Sequence, residues 1–182
     1  MLIVLPVYSR DVALMVKNLR WCRKLDDHCS YEALISCEQG TDTKELEEEA
    51  RAYFRGVHHY TYDKYTGEPE WPCGANHAWQ HAARYITEHS KDQWLWLEPD
   101  CTPLKPKWAE TIAKEYYQAG MPFMGHIVPK MNHMNGHAVY PNRISDHSTD
   151  ALLCRKTPFD VLLWKDIKTK THPANHLIAH FP

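Results

Sequence analysis

Apolar residues gather in short runs of strand length, separated by stretches whose apolar positions repeat at helical spacing. "LIVLPVY" (2–8), "EALISCE" (32–38) and "WLWL" (94–97) are bounded by polar residues, the signature of strands buried on both faces, and "VHHYTY" (57–62) supplies a further strand. Between them, Val12, Val16 and Leu19 share one helical face behind Arg10-Asp11, with Asp11 as the expected N-cap. "TDTKELEEEARAYFRG" (41–56) reads as a helix capped by Thr41 or Asp42, with acids in its first turns and Gly56 as its stop. Ala75, Trp79, Ala82 and Ile86 mark a helix over 75–88, and another runs from about Lys107 to Ala119 and closes at Gly120. The βαβαβαβα order predicts an α/β fold: a mostly parallel central sheet with helices on both faces.

After residue 120 the character changes. "PFMGHIV" (122–128) predicts a strand, 129–136 a Met/Asn/His loop and "HAVYP" (137–141) a short strand. A helix pair over roughly 146–169 and a last strand, "HLIAH" (176–180), complete the pattern. With 182 residues and no repeat, low-complexity tract or linker, the chain reads as one domain in two halves, 1–120 and 121–182.

Composition narrows the function classes. A formal net charge of −2 gives no overall basic surface, so any contact with nucleic acid has to be local. Six cysteines without a CxxC pair read as free thiols in a reducing compartment rather than disulfides or a zinc site. The N-terminus lacks a basic stretch before its apolar run, which Pro6 interrupts, and no run approaches membrane-spanning length. The expectation is a soluble, cytoplasmic protein.

"WLWLEPDCTPLKPKW" (94–108) carries the chemistry. Pro99 cannot donate to a sheet ladder, so the strand ends there and delivers Glu98 and Asp100 to its mouth. Open α/β sheets bind ligands at the carboxyl ends of their strands, and hard cations take oxygen ligands. The spacing alone is weak, because Glu45/Glu47, Glu47/Glu49 and Glu68/Glu70 repeat it on charged surface stretches.

In register over nearly its whole length, the chain resembles nucleotide-sugar glycosyltransferases of the GT-A fold. "LIVLPVYSRD" is similar to their opening strand and nucleotide-binding turn, and "EALISCE" to their second strand. "GANHAWQHAARYI" looks like the helix before their metal strand, "WLWLEPDCTPLKPKW" like their DxD motif with Glu in the first place, and "HLIAH" like their C-terminal ending. The resemblance implies a metal-dependent sugar transfer from a nucleotide donor, a UDP-sugar first, to a hydroxyl. Residues 1–120 would then hold nucleotide-sugar and metal, and 121–182 the acceptor side. It implies Mn²⁺ or Mg²⁺ on Asp100, Glu98 and His180, with His176 and His172 in reserve. It implies Pro6, Val7, Tyr8, Arg10, Glu38, Asn76 and Glu98 around the donor nucleotide. Asp160 in "TPFDVLLWKD" would be the catalytic base, ahead of Asp166, and Asn135, Gly136 and His137 would lie on the acceptor side.

The small format is similar to the bacteriophage enzymes that glycosylate hydroxymethylated DNA bases. That acceptor would need local basic residues, for which Arg143, Arg155, Lys156 and Lys130 are the candidates. The alternatives are transfer to a bacterial glycan or protein hydroxyl, or a catalytically degenerate nucleotide-sugar- or DNA-binding module. A nucleotidyltransferase is disfavoured because "PVYSRD" has no glycine. Oligomeric state is not legible.

Overall fold

β1 (Leu2–Val7) is buried along its whole length, and its side chains alternate between two cores. Ile3, Leu5 and Val7 join one cluster, Leu2 and Val4 the other. That alternation requires a helical layer on each side. The first is α1 (Val12–Leu25), α2 (Lys44–Tyr53) and α4 (Trp108–Ala119); the second is α3 (Cys73–His89) and α5 (Phe159–Ile167). The computed structural model of the chain describes residues 1–67, 71–128, 133–174 and 178–180.

The remaining strands are β2 (Cys29–Glu38), β3 (Phe54–Tyr62), β4 (Trp94–Trp96), β5 (Cys101–Pro103), β6 (Phe123–Val128), β7 (His133–Tyr140), β8 (Thr171–Pro173) and β9 (Ile178–His180). Seven form one sheet in the order β3-β2-β1-β4-β7-β6-β8, while β5 and β9 make a separate ribbon. β1 to β4 are mutually parallel, and β7 runs antiparallel to both β4 and β6. From β1 the chain steps outward to β2 and β3, then returns to place β4 on the other side of β1. The crevice above the ends of β1 and β4 is therefore the switch point at which such sheets bind ligands.

Several boundaries depart from the sequence pattern. β3 begins directly after Tyr53, so Gly56 lies inside a strand instead of stopping a helix. A Cβ there would meet Glu32 Cγ at 3.3 Å, so the strand passes close to the Glu32 side chain. Asp11 stands at the N-cap of α1 but its side chain makes no capping bond. Residues 133–136, expected in a loop, belong to β7, where Val128 pairs with His133 and Ile127 with Met134. Of the expected helix pair only α5 forms; 3-10 turns at Ile144–Asp146 and Asp150–Leu152 replace the other. Pro158 disfavours helix in the residue before it and starts α5 afresh. The last strand leaves the main sheet to pair with β5.

Candidate active site

At the switch point lies a pocket of about 480 Å³. The end of β1 contributes Pro6, Tyr8, Arg10 and Asp11, and the end of β4 contributes Trp96, Glu98, Pro99 and Asp100. The N-terminal side of α3 adds Trp71, Pro72 and Asn76, β7 adds Asn135 and Gly136, and the start of α5 adds Pro158, Phe159 and Asp160. Five segments far apart in sequence thus meet over one cavity.

Local bonds fix the lining. The Tyr8 hydroxyl donates to Gly74 O at 2.5 Å, tying the β1 turn to α3, and burial followed by the charge of Glu38 pushes that hydroxyl's pKa upward. Arg10 lies 5.9 Å from the centre of the Tyr8 ring and 3.6 Å from Asp11, with its guanidinium largely in solvent. Burial raises the Asp11 carboxyl above the ordinary range, Arg10 opposes this, and the Asp100 carboxylate adds to it. Trp96 Nε1 donates to Glu98 Oε1 at 3.3 Å.

Gly136 permits a close approach. A Cβ there would stand 3.2 Å from Phe159 Cζ and 3.5 Å from Glu98 Oε1, so β7 passes close to the acidic turn and α5, and an added side chain would press on Phe159.

Asp160 sits at the first turn of α5. Its Oδ1 accepts from Val161 N at 2.9 Å, and its Oδ2 is 3.3 Å from His133 Nε2 in a mostly buried pair. Burial raises its pKa, and His133 and the backbone bonds pull the other way. A carboxyl with a raised pKa, facing a pocket, is suited to accept a proton.

Asn76, expected at the donor nucleotide, lines the pocket and is bonded within the fold. Its amide donates to Arg155 O and Thr157 O, both at 2.9 Å, and accepts from Phe159 N at 2.9 Å. The side chain lines the pocket but is committed to holding the segment that delivers Asp160.

Other expected residues fall outside the lining. The Val7 side chain is buried in the core below the turn. Glu38 is half-buried and accepts from Tyr65 N at 3.3 Å. His137 is not among the residues that line this pocket; it lines a small cavity with Glu115 and His126. The backbone of His180 is opposite Cys101, one residue past Asp100, but its side chain lies outside the described part. His172 is 3.3 Å from Glu115, while His176 and Lys130 lie outside the described residues. Arg155 and Lys156 are exposed just before the lining residue Pro158; Arg143 is exposed but is not a lining residue.

Sequence reasoning missed Asp11, Trp71, Trp96 and His133. Asp11 was legible: it follows a buried strand just as Asp100 does. No motif or spacing marks Trp71, and nothing local pairs His133 with Asp160.

No protein-family model matches the sequence, and no curated protein matches it. Solved structures do resemble it. The galactosyltransferase LgtC in complex with donor and acceptor sugar analogs is 13% identical, with a TM-score of 0.65 over 96% of this chain and 73% of that one. TarS of S. aureus (residues 1–349) is 9% identical, with a TM-score of 0.59 over 97% and 59% of the two chains. The bifunctional glycosyltransferase WbbM is 7% identical, with a TM-score of 0.62 over 94% and 38%. At these identities the likeness is one of architecture: the chain has the GT-A fold of these glycosyltransferases.

Proposed function

We propose that the protein transfers a sugar from a nucleotide-sugar donor to a hydroxyl group, with the nucleotide held at the ends of β1 and β4. The observation that carries this reading is the convergence of Tyr8, Arg10, Glu98, Asp100, Asn135 and Asp160 on one pocket at the switch point. A TarS structure similar to this chain holds UDP-GlcNAc, which supports a UDP-sugar as the donor.

The donor set fits a hard divalent cation. Four carboxylates (Asp11, Glu98, Asp100 and Asp160) line the pocket beside one guanidinium, Arg10. A diphosphate would be repelled by that field unless a cation offset it, and oxygen ligands suit Mn²⁺ or Mg²⁺. Glu98 and Asp100 are the residues that would hold it, with His180 as the late ligand. When bound, such an ion neutralises the charge that develops on a departing nucleoside diphosphate.

The chain's own residues do the rest. Tyr8 and Arg10 border the nucleotide, with Arg10 exposed to reach a phosphate. Asp160 takes the proton of the acceptor hydroxyl, and His133 holds the Asp160 carboxylate toward it. Residues 1–120 thereby serve the donor, and 121–182 mainly the acceptor. Incubating the protein with a panel of nucleotide sugars should give slow, metal-dependent release of the nucleoside diphosphate for one of them. No release from any donor would leave a binding module as the better reading.

For the acceptor we favour a hydroxymethylated base in DNA. Arg155 and Lys156 are exposed beside the pocket, and Trp71, 79% exposed at its rim, offers a flat face to a base lifted from the stack. Transfer to a glycan or protein hydroxyl but never to hydroxymethylated DNA would overturn that choice.

A further inference from the structure

Three side chains of different chemistry converge beside the acidic turn. Glu98, Cys101 and His137 each bring one ligand atom within 4.8 Å of the other two. They come from the end of β4, the start of β5 and the middle of β7. Cys101 is fully buried and His137 is 8% exposed, while Glu98 lines the large pocket. Asn18 donates to Cys101 O at 2.5 Å and so fixes the start of β5.

We propose that Glu98, Cys101 and His137 form a binding site for a thiophilic divalent cation, Zn²⁺ first, separate from the oxygen-ligand site at Asp100. Carboxylate, thiolate and imidazole are zinc's protein ligands, and three of them leave a fourth position open. Bonds of about 2.0–2.3 Å would draw the donors together by roughly 1 Å, within reach of side-chain rotation. One carboxylate and one thiolate balance the dication, so the buried assembly is neutral and avoids the cost of an unpaired buried charge. As the Zn–S bond forms, the Cys101 thiol proton leaves to the buffer. Binding does not depend on the transferase reading. Its consequence does: Zn²⁺ here would take Glu98 away from the donor pocket and inhibit transfer.

The fold contains an internal control. Cys37 Sγ lies 3.2 Å from His59 Nε2, and His59 Nδ1 lies 3.6 Å from Glu47, yet these three are not among the converging groups.

Titrating metal-free protein with Co²⁺ and following thiolate-to-cobalt absorption in the near ultraviolet tests the site without any assay of transfer. One Co²⁺ per chain should give the band, and Zn²⁺ but not Mg²⁺ should displace it. Cys101→Ser should abolish it, His137→Gln should weaken binding by about 10-fold or more, and Cys37→Ser should leave it intact. Absence of the band in the wild type, its survival in Cys101→Ser, or its loss in Cys37→Ser overturns the proposal. If Cys101→Ser does not fold by circular dichroism, His137→Gln decides, and an unchanged Co²⁺ affinity overturns it.

Discussion

Asn76→Ala separates a structural tie from a ligand contact. The wild-type amide is 1% exposed and makes three bonds of 2.9 Å, to Arg155 O, Thr157 O and Phe159 N. At about 1 kcal/mol each, their loss costs about 3 kcal/mol, and more if the abandoned backbone groups stay dry. With a urea slope of about 2 kcal/mol/M, the unfolding midpoint should fall by about 1.5 M. Asn76→Asp keeps an acceptor for Phe159 N but points charge at two carbonyls, so it should destabilise at least as much. Equilibrium urea unfolding, followed by tryptophan fluorescence and circular dichroism, reads both variants. Activity should also fall, because the 155–159 segment carries Asp160 into the pocket. A midpoint shift below about 0.25 M, with weakened nucleotide binding, would refute this reasoning and return Asn76 to the donor site.

Gly136→Ala would set a methyl group 3.2 Å from Phe159 Cζ and 3.5 Å from Glu98 Oε1, so KM should rise several-fold with little change in the urea midpoint; an unchanged KM would contradict the close packing. Asp160 must be ionised to act as a base and its pKa is raised, so kcat/KM should fall on acidification at a pH above the ordinary aspartate range. His133 favours the ionised form, so His133→Gln should move that limb to still higher pH, and a limb that stays in place would remove His133 from its role. The same shift has a stability sign. Folding favours protonated Asp160, so stability drops as pH rises from the ordinary aspartate value through the raised one, and Asp160→Asn should flatten that slope in pH-dependent melts.

The central sheet was legible because its strands are buried on both faces: "LIVLPV" and "WLWL" carry apolar side chains at every position. Glu98 and Asp100 were legible because Pro99 ends a strand at a sheet's carboxyl edge. What stayed hidden depended on partners distant in sequence. Asn76 looks like any polar residue on a helix until residues 155–159 fold against it, and His133 acquires meaning only from Asp160, which α5 brings alongside. β5 was unreadable amid prolines, because its pairing with β9 spans most of the second half of the chain. Asp11 shows the opposite error: a local capping preference concealed a carboxylate that the end of β1 points into the pocket.

Cation-dependent binding of a nucleoside diphosphate at Glu98 and Asp100 is the claim on which the proposed function rests. Isothermal titration of UDP into the protein, with Mn²⁺ and then with a chelator, tests it most directly when repeated on Asp100→Asn. The expected result is binding by the wild type only with Mn²⁺, and binding by Asp100→Asn weakened about 10-fold or more. UDP bound equally well in the chelator, or an Asp100→Asn titration matching the wild type, would contradict it.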